Sequence, residues 1–211
     1  PHHDYFDSQR ETSKIVRKHF NNLQTTEQFY FTTADLKLNN HKKLKSKEIN
    51  NVENIEWVKS LKPDYIILYG TGILNSNWFD EFDDKIINLH LGMSPYYRGS
   101  ATLFWPFYNN ELDYLGITIH IATEQVDAGE ILHIVTPDIE EDDNYYDITN
   151  KLIKKSIEKF SEVVYDYHSG DIKKIPQDIS KQKYYYKKKD FTESCLIEVS
   201  DRLWGKNVIS S

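Results

Sequence analysis

Two short runs in this chain, DYIILYG at 64–70 and KIINLH at 85–90, are apolar at nearly every consecutive position. A strand with one wet face alternates apolar and polar residues, so a run with little alternation belongs to a strand covered on both faces. GITIHIA at 116–122 and GEILHIVT at 129–136 have similar character. Segments of helical period lie among them. Residues 51–62 set Val52, Ile55, Val58 and Leu61 on one face and stop at Pro63. Residues 144–168 carry the broadest stripe (Ile148, Leu152, Ile153, Ile157, Phe160, Val163, Val164 and Tyr167), and Gly170 suits its end. Strands separated by helices predict an α/β sheet with parallel central strands.

The remaining segments give weaker expectations. Residues 4–24 read as one exposed helix, EQFYFT as a short strand, and 35–50 as a solvated lysine-rich loop. The aromatic run SATLFWPFYNN is expected to be helical, started or kinked at Pro106. The tail KQKYYYKKKDF is basic and aromatic and alternates poorly. The 211 residues suffice for one sizeable domain, divided here into 1–170 and a short appendage, 171–211. A formal charge of -7 argues against generic binding to nucleic-acid backbones. The single cysteine, Cys195, excludes an intramolecular disulfide and a cysteine-built metal site, and it fits a reducing cytoplasm. No apolar run approaches the roughly 20 residues of a membrane-spanning helix.

KIINLH ends unusually for a core strand. Side chains two apart share a face, so Asn88 and His90 project together with Leu89 opposite. The loop that follows, LGMSPYYRG, has Gly92 and Gly99 to let the backbone turn and approach a ligand. Further on, Asp127 opens the turn Asp-Ala-Gly. An amide, an imidazole and a carboxylate suit acyl transfer: imidazole moves protons near neutrality, a carboxylate orients it, and an amide N–H stabilises an oxyanion. From pattern alone, separate structural roles remain the alternative for these three. His120 and His133 read as satisfied core or edge histidines. No histidine pair has metal-binding helical spacing, so no metal is expected.

INLHLGMSPYYRGSATLFW followed by GITIHIATEQVDAGEIL resembles the folate-dependent formyltransferases, across roughly residues 63–135. The carriers are Asn88-Leu89-His90, Pro95-Tyr96-Tyr97-Arg98-Gly99 and Asp127-Ala128-Gly129, in family order. The resemblance implies a doubly wound, Rossmann-like sheet with flanking helices. It also implies transfer of a formyl group from 10-formyltetrahydrofolate to an amine, with Asn88, His90 and Asp127 as catalytic residues. Gly72, Ile73 and Leu74 would line one wall of a pterin pocket, and Gln125 and Val126 the other. Gly92, Tyr97, Arg98 and Gly99 would hold the acceptor, with pinning of the loop as the alternative role for Arg98. For Trp105 and Phe107, core packing is preferred over contact.

The family's fold opens with a strand, a loop, a helix and a strand that this sequence does not present, so Pro1 is expected to lie inside a longer natural protein. The loop reads His-Leu-Gly-Met-Ser-Pro, which departs from the purine and tRNA enzymes. Its aromatics point to a nucleotide-linked amino sugar as acceptor, for surface polysaccharide such as lipopolysaccharide O-antigen. A homodimer is compatible with this reading. The alternatives are phosphoribosylglycinamide formylation in purine synthesis and a non-catalytic folate- or sugar-binding module.

Overall fold

The computed structural model describes residues 13–31 and 41–204. Helix α1 (Lys14–Tyr30) starts where the Ser13 hydroxyl accepts from the Val16 amide, and it turns Val16, His19 and Phe20 inward. The strand expected in EQFYFT is not formed, because Glu27 to Tyr30 complete α1. Aromatic residues favour strands only weakly. Here Tyr30 instead donates to Asp147 at 3.2 Å, tying the helix end to the neighbouring helix. Residues 4–12 of the expected 4–24 helix, and 35–40 of the lysine-rich stretch, lie outside the described residues. Helix α2 (Val52–Ser60) forms within the expected limits, yet Val52 and Leu61 stay 63% and 47% exposed and Ile55 alone of its apolar face is buried.

Four strands make the main sheet: β1 (Ile66–Leu68), β2 (Ile86–His90), and, after the short β3 (Tyr97–Gly99), β4 (Ile117–Ile121) and β5 (Ile131–Val135). Their order is β1-β2-β4-β5. Only β1 and β2 are parallel; β4 runs antiparallel to both its neighbours. The expected parallel centre is thus corrected to a mixed sheet, and the connections explain it. β1 reaches β2 through helix α3 (Ser76–Glu81), a crossover. Residues 91–116 contain only β3, a four-residue helix α4 (Trp105–Tyr108) and a 3-10 turn, so they return β4 beside β2 without crossing the sheet.

Both faces of β2 and β4 are covered, which is why those runs alternate so little. The same expectation for DYIILYG is corrected: β1 stands at the end of the described sheet, and Ile67 is 47% exposed between half-buried Ile66 and Leu68. Ile87 and Leu89 join Ile117, Ile119 and Ile121 in the larger core, roofed by Ile148 and Leu152 of helix α5 (Tyr145–Ser169). Ile86 faces a smaller core with Ile55, Trp78 and Phe82. Each fully buried Ile or Leu contributes about 2 kcal/mol. Helix α5 keeps its expected limits within a residue: Asn144 and Asp147 form a capping box, and Gly170 stops it at φ 79.

The lysine-rich tail hides a strand, β6 (Tyr184–Tyr186), which pairs in parallel with β3. Beyond it, helices α6 (Glu193–Glu198) and α7 (Ser200–Trp204) bury Leu196 and Leu203 in the larger core, so residues after 170 share that core with the rest.

His19 lies in this core, ringed by Phe20, Tyr145, Tyr146 and Phe191, with Nδ1 2.9 Å from the Tyr146 hydroxyl. Burial pushes its imidazole down to about 3, and His120 is likewise pushed down to about 4. A depressed imidazole stays neutral in the fold while the unfolded chain takes up the proton near pH ~6.5. Stability is therefore full above that pH and falls as pH drops toward 3–4. Urea unfolding followed from neutral to acid pH should show this slope, and His19→Phe should make it shallower.

Candidate active site

Asn88 and His90 leave β2 on the face of the smaller core, opposite Leu89. The 122–130 connection folds back over that face and brings Asp127 to both. The Asp127 Oδ1 atom is 3.3 Å from His90 Nδ1, and it accepts from Asn88 Nδ2 at 3.4 Å. The other ring nitrogen of His90, Nε2, lies 3.0 Å from the Tyr97 carbonyl oxygen. Both nitrogens thus face oxygen atoms. The second carboxylate oxygen, Oδ2, accepts from the Gly99 amide at 3.0 Å.

A fourth side chain completes the cluster. His120 stands directly across the β2–β4 ladder from Asn88, beside a register shift between Ile119 and His120. Its Nδ1–H donates to the Ile121 carbonyl at 2.8 Å, so Nε2 keeps its lone pair and accepts from Asn88 Nδ2 at 3.1 Å. Burial, and then the charge of His90, hold its imidazole neutral. His120 thereby fixes which way the Asn88 amide points. Reading it as a satisfied buried histidine described its packing and missed this role. The signal lay in an antiparallel register, which pairs Asn88 and His90 with His120 and Thr118.

Glycines let the loops close. A Cβ on Gly92 would sit 2.5 Å from His90 Nε2, and one on Gly129 would sit 1.8 Å from the Ile121 carbonyl oxygen. Thr118 pins the first turn, donating to the Gly92 carbonyl at 2.7 Å and accepting from the Ser94 amide at 2.9 Å. Asp127 itself is held at φ 52, in the left-handed region.

A formyl transferase family model matches residues 15–164, most of the chain. The chain belongs to the formyltransferase family. Among curated relatives of the chain, the methionyl-tRNA formyltransferase of Bacillus velezensis is 34% identical over 142 residues, 67% of this chain and 44% of that protein. The chain spans less than half the length of the curated relatives it matches. Among solved structures, the formyltransferase PseJ from Anoxybacillus kamchatkensis, in complex with UDP-4,6-dideoxy-4-formamido-L-AltNAc and tetrahydrofolate, aligns at TM-score 0.52. It is 25% identical and covers 88% of this chain and 89% of that one. A 4-N formyltransferase from Francisella tularensis shares the fold at TM-score 0.56 and 20% identity, over 75% of this chain and 71% of that one.

The remaining site residues are distributed differently from the expectation. Tyr97 is fully buried and donates to Glu111 at 2.6 Å, and Trp105 and Phe107 are packed in the core. Arg98 is 4% exposed: Nε and Nη2 donate to the Val126 carbonyl, Nε at 3.1 Å, while Nη1 donates to Gln182 Oε1 at 2.5 Å. Its guanidinium is committed to protein partners, which is the geometry of the pin rather than of a phosphate grip. Gly92 acts through the backbone closeness described above, and a Cβ on Gly99 would sit 2.1 Å from the Tyr186 carbonyl oxygen.

In the expected pterin wall, Leu74 is buried, whereas Gly72 and Ile73 are exposed, Ile73 by 69%. The Ile73 carbonyl accepts from Asn50 at 3.0 Å. Gln125 borders a surface cavity of about 430 Å³ with Phe79 and Asp83, a cavity that includes none of Gly72, Ile73 or Leu74. A second depression, lined by His133 and Lys155, does not touch the Asp127 cluster. With Arg98 as a pin, Arg98→Lys should lower folate-analogue affinity and thermal stability together, because Lys cannot span two acceptors. Calorimetric titration beside a melting curve checks it; a change in acceptor KM alone would contradict the pin.

Proposed function

We propose that this protein transfers a formyl group from 10-formyltetrahydrofolate to the amine of a nucleotide-linked amino sugar. The observation that carries the reaction class is the convergence of Asn88 and His90 on one carboxylate oxygen of Asp127, with the other ring nitrogen of His90 on the Tyr97 carbonyl. The donor would supply a formyl carbon already activated on nitrogen. These residues fit what its transfer needs: hydrogen-bond donors for a developing oxyanion, and a base path for the amine proton.

His120 holds one N–H of Asn88. The other, on the long 3.4 Å bond to Asp127, is the one an oxyanion would take over. The His90 imidazolium, its ring nitrogens turned to the Tyr97 carbonyl and to Asp127, would stabilise the same oxygen by its charge, and Asp127 would hold that cation and receive the amine proton through water. The amine nitrogen–carbon bond forms, the carbon–N10 bond breaks, and the proton lost by the amine ends on the departing nitrogen. Exposed Gly72 and Ile73, and the turn at Gln125 and Val126, would offer backbone N–H groups to the flat pterin.

The sugar acceptor is supported by the likeness to PseJ, which extends over 88% of this chain. The 34% identity to a methionyl-tRNA formyltransferase favours a second reading, with an aminoacyl-tRNA as acceptor. Initial rates with UDP- and dTDP-linked amino sugars, glycinamide ribonucleotide and methionyl-tRNA, at a fixed donor concentration, separate them. A nucleotide amino sugar is expected to give the highest kcat/KM; efficient formylation of either other acceptor, with no sugar turned over, rejects the sugar assignment.

A further inference from the structure

The Asp127 turn is held from outside by a segment that lies beyond the family match at 15–164. After helix α5 the chain doubles back, and Ile175 bridges to Ile131 at the start of β5, exchanging backbone bonds of 2.8 and 2.9 Å. Two residues on, Gln177 Nε2 donates to the Asp127 carbonyl at 3.2 Å and to the Gly129 carbonyl at 2.6 Å. Those two carbonyls flank the turn whose side chain meets His90. Five residues later Gln182 Oε1 accepts from Arg98, whose other nitrogens hold the Val126 carbonyl. β6 then pairs with β3, the Tyr186 carbonyl accepts from the Ser100 amide at 2.9 Å, and the Tyr96 carbonyl accepts from the Tyr184 amide at 3.0 Å.

We infer that residues 175–186 form a strap that clasps the two loops of the site together, with Gln177 and Gln182 as positioning residues that set where the Asp127 carboxylate stands. The inference rests on the formyl-transfer reading of that site. Three features carry it. Every carbonyl from Val126 to Gly129 except that of Ala128 is gripped by the strap or through Arg98. Asp127 holds φ 52, a conformation a residue with a side chain adopts at a cost and keeps only where its surroundings impose it. The amide of Gln177 has one workable orientation, because turning it over would set its oxygen against two carbonyl oxygens. Gln177 bonds only backbone carbonyls of the turn, so its role is to place Asp127 relative to His90 and to the Gly99 amide.

The chemistry of the two glutamines gives opposite expectations for the same substitution. Gln177→Glu keeps length and removes both donors, setting a carboxylate against two carbonyls. Gln182→Glu keeps the acceptor that Arg98 uses. In the strap account Gln177→Glu lowers kcat about tenfold or more, with KM for donor and acceptor little changed. Hydrogen exchange of the Gly99 and Ala128 amides, which donate to Asp127 Oδ2 and the Gln125 carbonyl, rises in the same variant while amides of β2 and β4 keep their protection. Gln182→Glu retains wild-type kcat, and Gln182→Leu does not. Should Gln177→Glu fail to fold, Gln177→Asn, one methylene short, is read the same way.

Wild-type kcat in the Gln177 variant overturns the strap, as does protection lost uniformly across the sheet, which would assign Gln177 to the fold at large. If the wild-type protein formylates no acceptor, the functional reading falls, and the exchange measurement alone decides whether Gln177 holds the turn.

Discussion

Replacing His90 by Ala lowers kcat by about 100-fold or more while the protein stays folded, because a preorganised group that stabilises a developing oxyanion is worth that much. His90 is buried, and its ring joins the Tyr97 carbonyl to Asp127. Removing it leaves the carboxylate beside Asn88 without a cation to hold. Asn88→Ala and Asp127→Ala should fall to similar levels, and combining any two should cost little more than one, since the three work as a unit. Steady-state kinetics with far-ultraviolet circular dichroism as the folding control checks this. A His90→Ala variant with near-normal turnover would show that the imidazole is a packed residue and the chemistry lies elsewhere.

Gly129→Ala is expected to be the most damaging conservative substitution outside the trio. The added methyl would lie 1.8 Å from the Ile121 carbonyl oxygen and 2.9 Å from its carbon, both backbone atoms that cannot rotate aside. Either the β4–β5 connection moves or the chain unfolds. Moving the connection carries Asp127 away from His90, so activity is lost in both cases. We expect a loss of several kcal/mol in stability, at the large end for single substitutions, together with loss of turnover. Gly170→Ala is the comparison: a Cβ there meets nothing within 4 Å, and its φ of 79 confines the cost to backbone strain at a helix end. Thermal melting of the two variants side by side reads the difference, and equal melting temperatures would contradict it.

Much of this site could be read from residue order. Asn88 and His90 are two apart in a strand, so their common face follows from the period of extended backbone. The Asp-Ala-Gly turn announced itself through its glycine. What the residues did not disclose was pairing direction. Consecutive apolar positions reported the two covered faces of β2 and β4, though not the open face of β1 at Ile67, and they say nothing of whether a neighbour runs the same way or opposite. His120 therefore stayed anonymous until the antiparallel register set it across from Asn88.

Arg98 illustrates a second limit. An arginine in a glycine-bearing loop fits a phosphate or a pair of carbonyls equally well, and only its burial against Val126 and Gln182 distinguishes them. The tail shows a third. Tyr184 to Tyr186 sit among lysines, and a three-residue strand is too short for alternation to stand out. Its partner β3, inside a loop of glycines and proline, is equally short. EQFYFT failed for the opposite reason: local β preference was overridden by a helix already committed to the core at Val16 and Phe20.

The most direct test follows the formyl carbon itself. Protein in excess over 10-formyltetrahydrofolate labelled with ¹³C at the formyl group is mixed with a nucleotide-linked amino sugar, and the carbon is tracked by NMR through a single turnover. The account predicts that the label leaves the donor and appears as a formamide on the sugar amine, and that His90→Ala leaves it on the donor. A wild-type protein that binds the donor, raising its melting temperature, and yet never releases the label to the sugar or to any other amine offered, would contradict it.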